Sequence, residues 1–406
     1  MRRVYLDHQS GTPVRPEVLA AMQPFFTEHF GSPSSVHQHG LRARDALAKA
    51  RGQVAKLINA GSPEEILFTS GGTEAANLAV KGTAYGSQSR GRHIVVARTE
   101  HPAVLNSVEF LEQQGFTCTR VDVDGEGFVS PEAIRAARRD DTILICVHHA
   151  NHELGTIEPI REIAGVAAER GIAFFVDATA SGGWHPIDVE DLGATLLSLS
   201  PQRFHGPKGA GVLYRSRRSR LAPIQHGGGQ EGGRRAGTEN IPAIVGAGVA
   251  AELAARELPQ RMAQTSKLQQ RLWRGIEQSI DFVRLNGPPP GARRIASNLN
   301  VSFEFVEGEG LALFLDTKGI AVATGPACVT KSMQVSHVLE AVGLSRALAQ
   351  GNLLLSLGRE NTDEEIDYAV EMLVKAVDRL RGMSPSWDEF RRGAADSLTR
   401  PRAMKR

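Results

Sequence analysis

Five stretches of this chain combine residue types that can do chemistry, and each follows a run of apolar residues. Ser70-Gly71-Gly72-Thr73-Glu74 joins a predicted strand to a predicted helix. Small residues let the backbone approach a ligand, the first helical N–H groups point outward, and Thr73 adds a hydroxyl, so Gly72 and Thr73 suit a phosphate. A plain helix N-cap at Thr73 explains the same residues. His101 starts a helix after the next strand, where an imidazole can stack on a planar ligand or simply cap. Asn151, in His-His-Ala-Asn-His-Glu-Leu-Gly, and Asp177, in Phe-Phe-Val-Asp-Ala-Thr, follow strands in the same way. Asp177 is the sharper signal, because a carboxylate closing an apolar strand is nearly buried and needs a cationic or N–H partner. The fifth stretch, Leu196 to Tyr214, reads as strand, polar turn, Gly206-Pro-Lys-Gly hinge and second strand, which gathers Ser200, Gln202, Arg203 and His205 on one loop.

A helix start for phosphate, a stacking His, an Asn and a strand-end Asp along one sheet edge outline a pocket for a planar phosphorylated heteroaromatic. Pyridoxal phosphate fits: Asp177 would pair with the protonated pyridine nitrogen and strengthen the electron sink. The elements that must hold these groups alternate. Predicted strands at Glu65–Thr69, His93–Ala97, Thr117–Val121, Thr142–His148, Ala173–Asp177 and Leu196–Leu199 are separated by helices near Leu41–Ile58, Thr73–Tyr85, Ala103–Gln114, Ser130–Ala137 and Glu158–Glu169. That pattern predicts an α/β fold, a mostly parallel sheet covered by helices with the ligand at the carboxyl ends of its strands. A helix at Thr12–Phe26 precedes it, and a long one runs from Pro242 toward Ile280. Strands near Ala296–Phe303 and Ile320–Ala323, with helices at Leu311–Thr317, Val335–Val342 and Asp363–Leu380, make a smaller α+β domain. The large domain, with pocket and dimer interface, is expected over 15–258, and the small one over 1–14 plus 259–390. Residues 391–406, basic and weakly periodic, read as a flexible tail.

Composition excludes more than it identifies. A formal charge of +2 gives no reason to expect nucleic acid, and no apolar run approaches the roughly 18 residues of a membrane span. Met1–Asp7 runs straight into polar turn residues, so no leader peptide is expected. Three cysteines without Cys-x-x-Cys spacing point to a reducing cytoplasm and to no zinc knuckle or other metal site.

From Tyr5-Leu-Asp through Trp387 the chain resembles the cysteine desulfurases of the class V aminotransferase family. The resemblance rests on Thr69-Ser-Gly-Gly-Thr-Glu-Ala-Ala-Asn, Glu100-His, Asn151, Val176-Asp-Ala-Thr, Gly206-Pro-Lys-Gly and His226-Gly-Gly-Gly-Gln-Glu. Arg235-Ala-Gly-Thr-Glu-Asn, Ala327-Cys328 and Ser356-Leu-Gly-Arg extend it. It implies a fold-type I pyridoxal-phosphate homodimer that removes sulfur from cysteine and passes it on as a protein persulfide. It puts Thr73 and Ser200 on the cofactor phosphate with Thr238 of the other subunit, His101 on the ring, Asp177 on the pyridine nitrogen, and Asn151 toward cofactor and substrate carboxylate. Cys328, on the loop Ala323–Gln334, would be the sulfur acceptor, and the segment around Trp387 would meet an iron–sulfur scaffold protein.

The same resemblance locates the departures. The family's Ser-x-His-Lys, whose lysine forms the imine, is Ser200-Pro201-Gln202-Arg203 here. A guanidinium stays protonated and cannot attack an aldehyde as an amine does. The family's Asp-Ala-x-Gln is Asp177-Ala178-Thr179-Ala180, and the arginine that clamps the substrate carboxylate is Leu354. Lys208 belongs to Gly-Pro-Lys-Gly, where the family has a lysine besides the imine-forming one. The expectation is a sulfur-transfer or iron–sulfur assembly protein without ordinary desulfurase turnover, binding pyridoxal phosphate non-covalently or not at all. The alternative is an active desulfurase or related lyase with the cofactor held non-covalently.

Overall fold

The computed structural model describes residues 2–325 and 335–399. In chain order its strands are β1 (Val4–Tyr5), β2 (Ile66–Thr69), β3 (His93–Ala97), β4 (Thr117–Val121), β5 (Thr142–Cys146), β6 (Ala173–Asp177), β7 (Leu196–Leu199), β8 (Gly211–Arg215), β9 (Val283–Leu285), β10 (Asn298–Phe303), β11 (Ile320–Ala321) and β12 (Asn352–Ser356). β2 to β8 form one sheet in the order β2-β8-β7-β6-β5-β3-β4, in which β8 alone runs antiparallel, between β2 and β7. β3 and β5 are buried along their whole length, as continuous apolar strands covered on both faces must be. Edge strand β4 instead exposes Thr117 and Arg120, polar positions that blunt pairing with another chain.

Two apolar layers cover the sheet. On one face Val54 and Ile58, from helix Gln38–Leu57 and the residue after it, and Ala251 of helix Ile241–Ser279 pack with Phe174, Val176 and Leu199. On the other, Leu78 and Val80 of helix Gly72–Ser87 and Val104 and Val108 of helix Pro102–Glu112 pack with Leu144 and Phe175. Helix Ile241–Ser279 continues past its internal Pro259, and its second half buries Leu268, Leu272 and Ile276 in a separate core with Leu299, Val301 and Phe303 of β10. One rigid element thus joins the large sheet to the antiparallel sheet β12-β10-β9. Period-2 alternation along β10 sends Asn298, Asn300 and Ser302 to the opposite face, where Asn286 Nδ2 donates to Asn300 Oδ1 at 2.7 Å.

Several boundaries differ from those the sequence predicts. The helix expected over Thr12–Phe26 is two, Pro16–Met22 and Pro24–Thr27, because a proline suits a first turn and interrupts a helix interior. β12 is a strand where only an apolar run precedes Ser-Leu-Gly-Arg; short buried runs carry no periodicity to identify them. Helix Pro385–Thr399 includes residues 391–399, which composition assigns to flexible chain. Trp387 stacks on Phe390 at 5.7 Å, and both rings meet Phe282 and Phe305, so the first turns are anchored and the helix propagates from them. Among the described residues no helix is long and apolar enough to cross a membrane.

Candidate active site

The segments after β3, β5, β6 and β7 converge on one small cavity. His101, His148, Ala150, His152, Asp177, Thr179, Ala180 and Arg203 line it. Asp177 ends β6 almost fully buried, and its Oδ1 accepts from the Thr179 N–H at 2.9 Å and from Ser198 Oγ at 2.8 Å. These two donors fix the carboxylate and leave its second oxygen unused among the described residues. His101 caps helix Pro102–Glu112, its Nδ1 accepting from the Ala103 N–H at 3.1 Å, which places the ring proton on Nε2. Burial pushes the His101 imidazole pKa down, with Asp177 opposing, so the ring rests neutral.

Beside this cavity the turn after β2 enters helix Gly72–Ser87 with no side-chain cap at Gly71. A methyl group on Gly72 would lie 3.2 Å from Thr179 Oγ1 and 3.3 Å from Ser200 Cβ, so only glycine keeps this corner open to a ligand. Glu74 stiffens the turn: its Oε2 accepts from the Ser70 N–H at 2.7 Å, and Arg235 Nε reaches Oε1 at 2.8 Å. A helix N-terminus without a protein cap, a glycine cradle and a fixed strand-end carboxylate fit the phosphate and ring nitrogen of pyridoxal phosphate. Gly72, Thr73, Ser200 and Asp177 are the residues that would hold it.

Arg203 enters the cavity from a single turn, Pro201–Arg203, between β7 and β8. Its N–H donates to the Ser200 carbonyl at 3.0 Å, and its carbonyl accepts from Trp184 Nε1 at 2.6 Å. Thr12 clamps the loop, donating its N–H and hydroxyl to the Gln202 carbonyl at 3.0 and 2.8 Å and accepting the His205 N–H at 2.7 Å. His205 needs that clamp, because its φ of 71° is a left-handed conformation a histidine adopts at a cost. The cavity has a volume of about 20 Å³, room for a single water molecule, with Arg203 and three histidines around it.

His101, Asp177 and Arg203 are thus brought together, with Gly72 and Ser200 at their side. Asn151 lies beneath: its Nδ2 donates to the Thr99 carbonyl at 3.1 Å, and its Oδ1 accepts the N–H groups of Glu153 and Leu154 at 2.9 and 2.8 Å. That amide holds the turn after β5. Thr73 is exposed at the helix start, and Thr238 is exposed on the loop before helix Ile241–Ser279. Lys208 is also exposed and does not line the cavity, while Leu354 and Ala180 are buried. Cys328 lies outside the described residues. Cys118 and Cys146 are free thiols whose pKa burial raises, and among the described residues no group of metal-ligating side chains forms.

Sequence reasoning passed over His148 and His152, whose signal is the density of histidines in the six residues after β5. His148 is fully enclosed between two carboxylates, Nδ1 to Glu100 Oε1 at 3.0 Å and Nε2 to Glu158 Oε1 at 3.2 Å. Burial opposes its charge, but the two carboxylates win and push its pKa up to about 10. It is an imidazolium bolted under the cavity floor.

The class-V aminotransferase family matches residues 4–369. The cysteine desulfurase IscS of Clostridium botulinum (strain Hall) is 47% identical over 389 residues, 96% of this chain and 98% of that protein. Among solved structures, a NifS-like protein superposes with a TM-score of 0.87 at 35% identity, covering 93% of this chain and 100% of its own. The structure described as SspA in complex with cysteine gives a TM-score of 0.77 at 36% identity over 87% of this chain and 98% of its own.

Proposed function

The chain belongs to the cysteine desulfurase family of the class-V aminotransferases, and from that membership we propose a protein of sulfur transfer and iron–sulfur cluster assembly that has lost ordinary desulfurase turnover. The observation that carries this reading is Arg203 in the lining of the cavity, at the position where the family resemblance puts the imine-forming lysine. Gln202, Ala180 and Leu354, in place of the family's histidine, glutamine and clamping arginine, support it.

Pyridoxal phosphate, held non-covalently in the cradle of Gly72, Thr73, Ser200 and Asp177, would supply an electron sink for a bound amino acid. Asp177 would keep the ring nitrogen protonated, and His101 would stack on the ring while donating from Nε2. Arg203 would offer a fixed positive charge to a ligand anion without acting as nucleophile or base. Thr238, exposed like Thr73, would complete the phosphate cup from a second copy in a homodimer. Cys328 would accept sulfur from another protein, with the aromatic group around Trp387 as the surface for an iron–sulfur scaffold in the cytoplasm. The neighbour described in complex with cysteine supports an amino thiol as the small ligand. A second reading, an active desulfurase or lyase with non-covalent cofactor, is favoured by one observation, an unengaged histidine in the cavity wall.

The reading is tested by sulfide release from cysteine with added pyridoxal phosphate. The expected result is none above free cofactor for the wild type and recovery in Arg203→Lys combined with Gln202→His and Leu354→Arg. Family-level turnover by the unaltered protein would refute it.

A further inference from the structure

Most groups around the cavity are already committed. Arg203 cannot release its proton, and His148 stays charged between Glu100 and Glu158. Asp177 is held by Thr179 and Ser198, and His101 spends Nδ1 on its helix cap. His152 differs. Neither ring nitrogen makes a hydrogen bond among the described residues, and Nε2 is buried without one. The ring packs edge-on against His101 at 5.1 Å, and Glu153 Oε1, also buried without a hydrogen bond, lies 3.7 Å from Nε2. The other Glu153 oxygen accepts from Ser336 Oγ at 2.7 Å, which fixes the carboxyl behind the imidazole.

We propose that His152, backed by Glu153, is a further catalytic residue of this pocket, taking a proton from a ligand bound beside His101 and returning it. The inference rests on the reading that the cavity receives a pyridoxal-phosphate-type ligand with an amino acid. In the step, the α C–H bond of the amino acid breaks and its electron pair stays on the ligand. The proton forms an N–H bond on His152, and the Glu153 carboxylate balances the imidazolium; the reverse step returns the proton. No oxidant or reductant is needed. His101, His337, His148 and Arg203 all face His152 and, with burial as the largest cause, hold its pKa well below the ordinary value, so the resting imidazole has a free lone pair. Burial pushes the Glu153 carboxyl up to about 7, with Ser336 opposing. The counter-charge therefore appears as pH rises through about 7, and proton transfer strengthens in that direction.

Two measurements test this. Infrared difference spectroscopy on the ligand-free protein, assigned with Glu153→Gln, reads the protonated carboxyl band. It should vanish as pH rises through about 7, with a midpoint displaced in His152→Gln, where the imidazole 3.7 Å from the carboxyl is gone. With pyridoxal phosphate saturating in heavy water, deuterium entry at the α-carbon of L-alanine should fall about 100-fold in His152→Gln, while cofactor affinity stays within about threefold. An unmoved carboxyl midpoint, wild-type exchange in His152→Gln, or no exchange above free cofactor in the wild type with cofactor bound would overturn the proposal. If no cofactor binds, the functional reading fails instead, and the carboxyl midpoint alone decides whether the pair exists.

Discussion

The two ends of the cavity differ in what they hold. At the phosphate and ring-nitrogen end, the open corner at Gly72, the uncapped helix start and an Asp177 fixed by two donors form a cradle that fits a cofactor. At the reacting end an arginine and three histidines crowd a space the size of one water. On the proposed reading, binding and reaction rest on separable groups, and replacing the second set leaves the first in place.

The largest effect should come from rebuilding the reacting end. Arg203→Lys with Gln202→His and Leu354→Arg should raise sulfide release at least about 100-fold, whereas Arg203→Lys alone should raise it far less, since the carboxylate clamp and acid–base partner are still missing. Equal recovery by the single variant would make Arg203 the sole lesion.

The floor between the two ends comes next. His148→Gln removes a buried charge that two carboxylates need and should cost about 3 kcal/mol or more in urea unfolding at neutral pH. The folded pKa of His148 is raised above the unfolded 6.5, so its contribution is fully present below 6.5 and is lost as pH rises toward about 10. The stability gap between wild type and variant should close across that window.

The cradle gives the smaller effects. Asp177→Asn should weaken pyridoxal phosphate binding about tenfold or more, read by fluorescence titration, because the ring nitrogen loses its charged partner. Gly72→Ala, which sets a methyl group against Thr179 and Ser200, should weaken it by a smaller factor and leave the unfolding midpoint nearly unchanged.

This division was partly legible in the residues. The parallel sheet, the helix start at Gly72 and the strand-end Asp177 follow from local patterns, because each needs only its own turn to be placed. The cavity wall was less so. Asn151 reads as a pocket residue; its amide also holds the turn after β5 and reaches the Thr99 carbonyl just beyond β3, contacts that no local pattern shows. The His152–Glu153 pair was missed because adjacent residues usually diverge, and only the turn brings their side chains within 3.7 Å. The helix at Pro385–Thr399 was missed because Phe282 and Phe305, which anchor it, lie roughly eighty to a hundred residues upstream, beyond any window of composition.

The most direct test of the central claim is the absorbance spectrum of the purified protein before and after dialysis, with pyridoxal phosphate and then cysteine added. A cradle without an imine lysine should bind added cofactor reversibly, lose it on dialysis, and show no retained visible band of a protonated imine. A visible band that survives dialysis and shifts on adding cysteine would mean that the reacting end still works, and the account would be wrong.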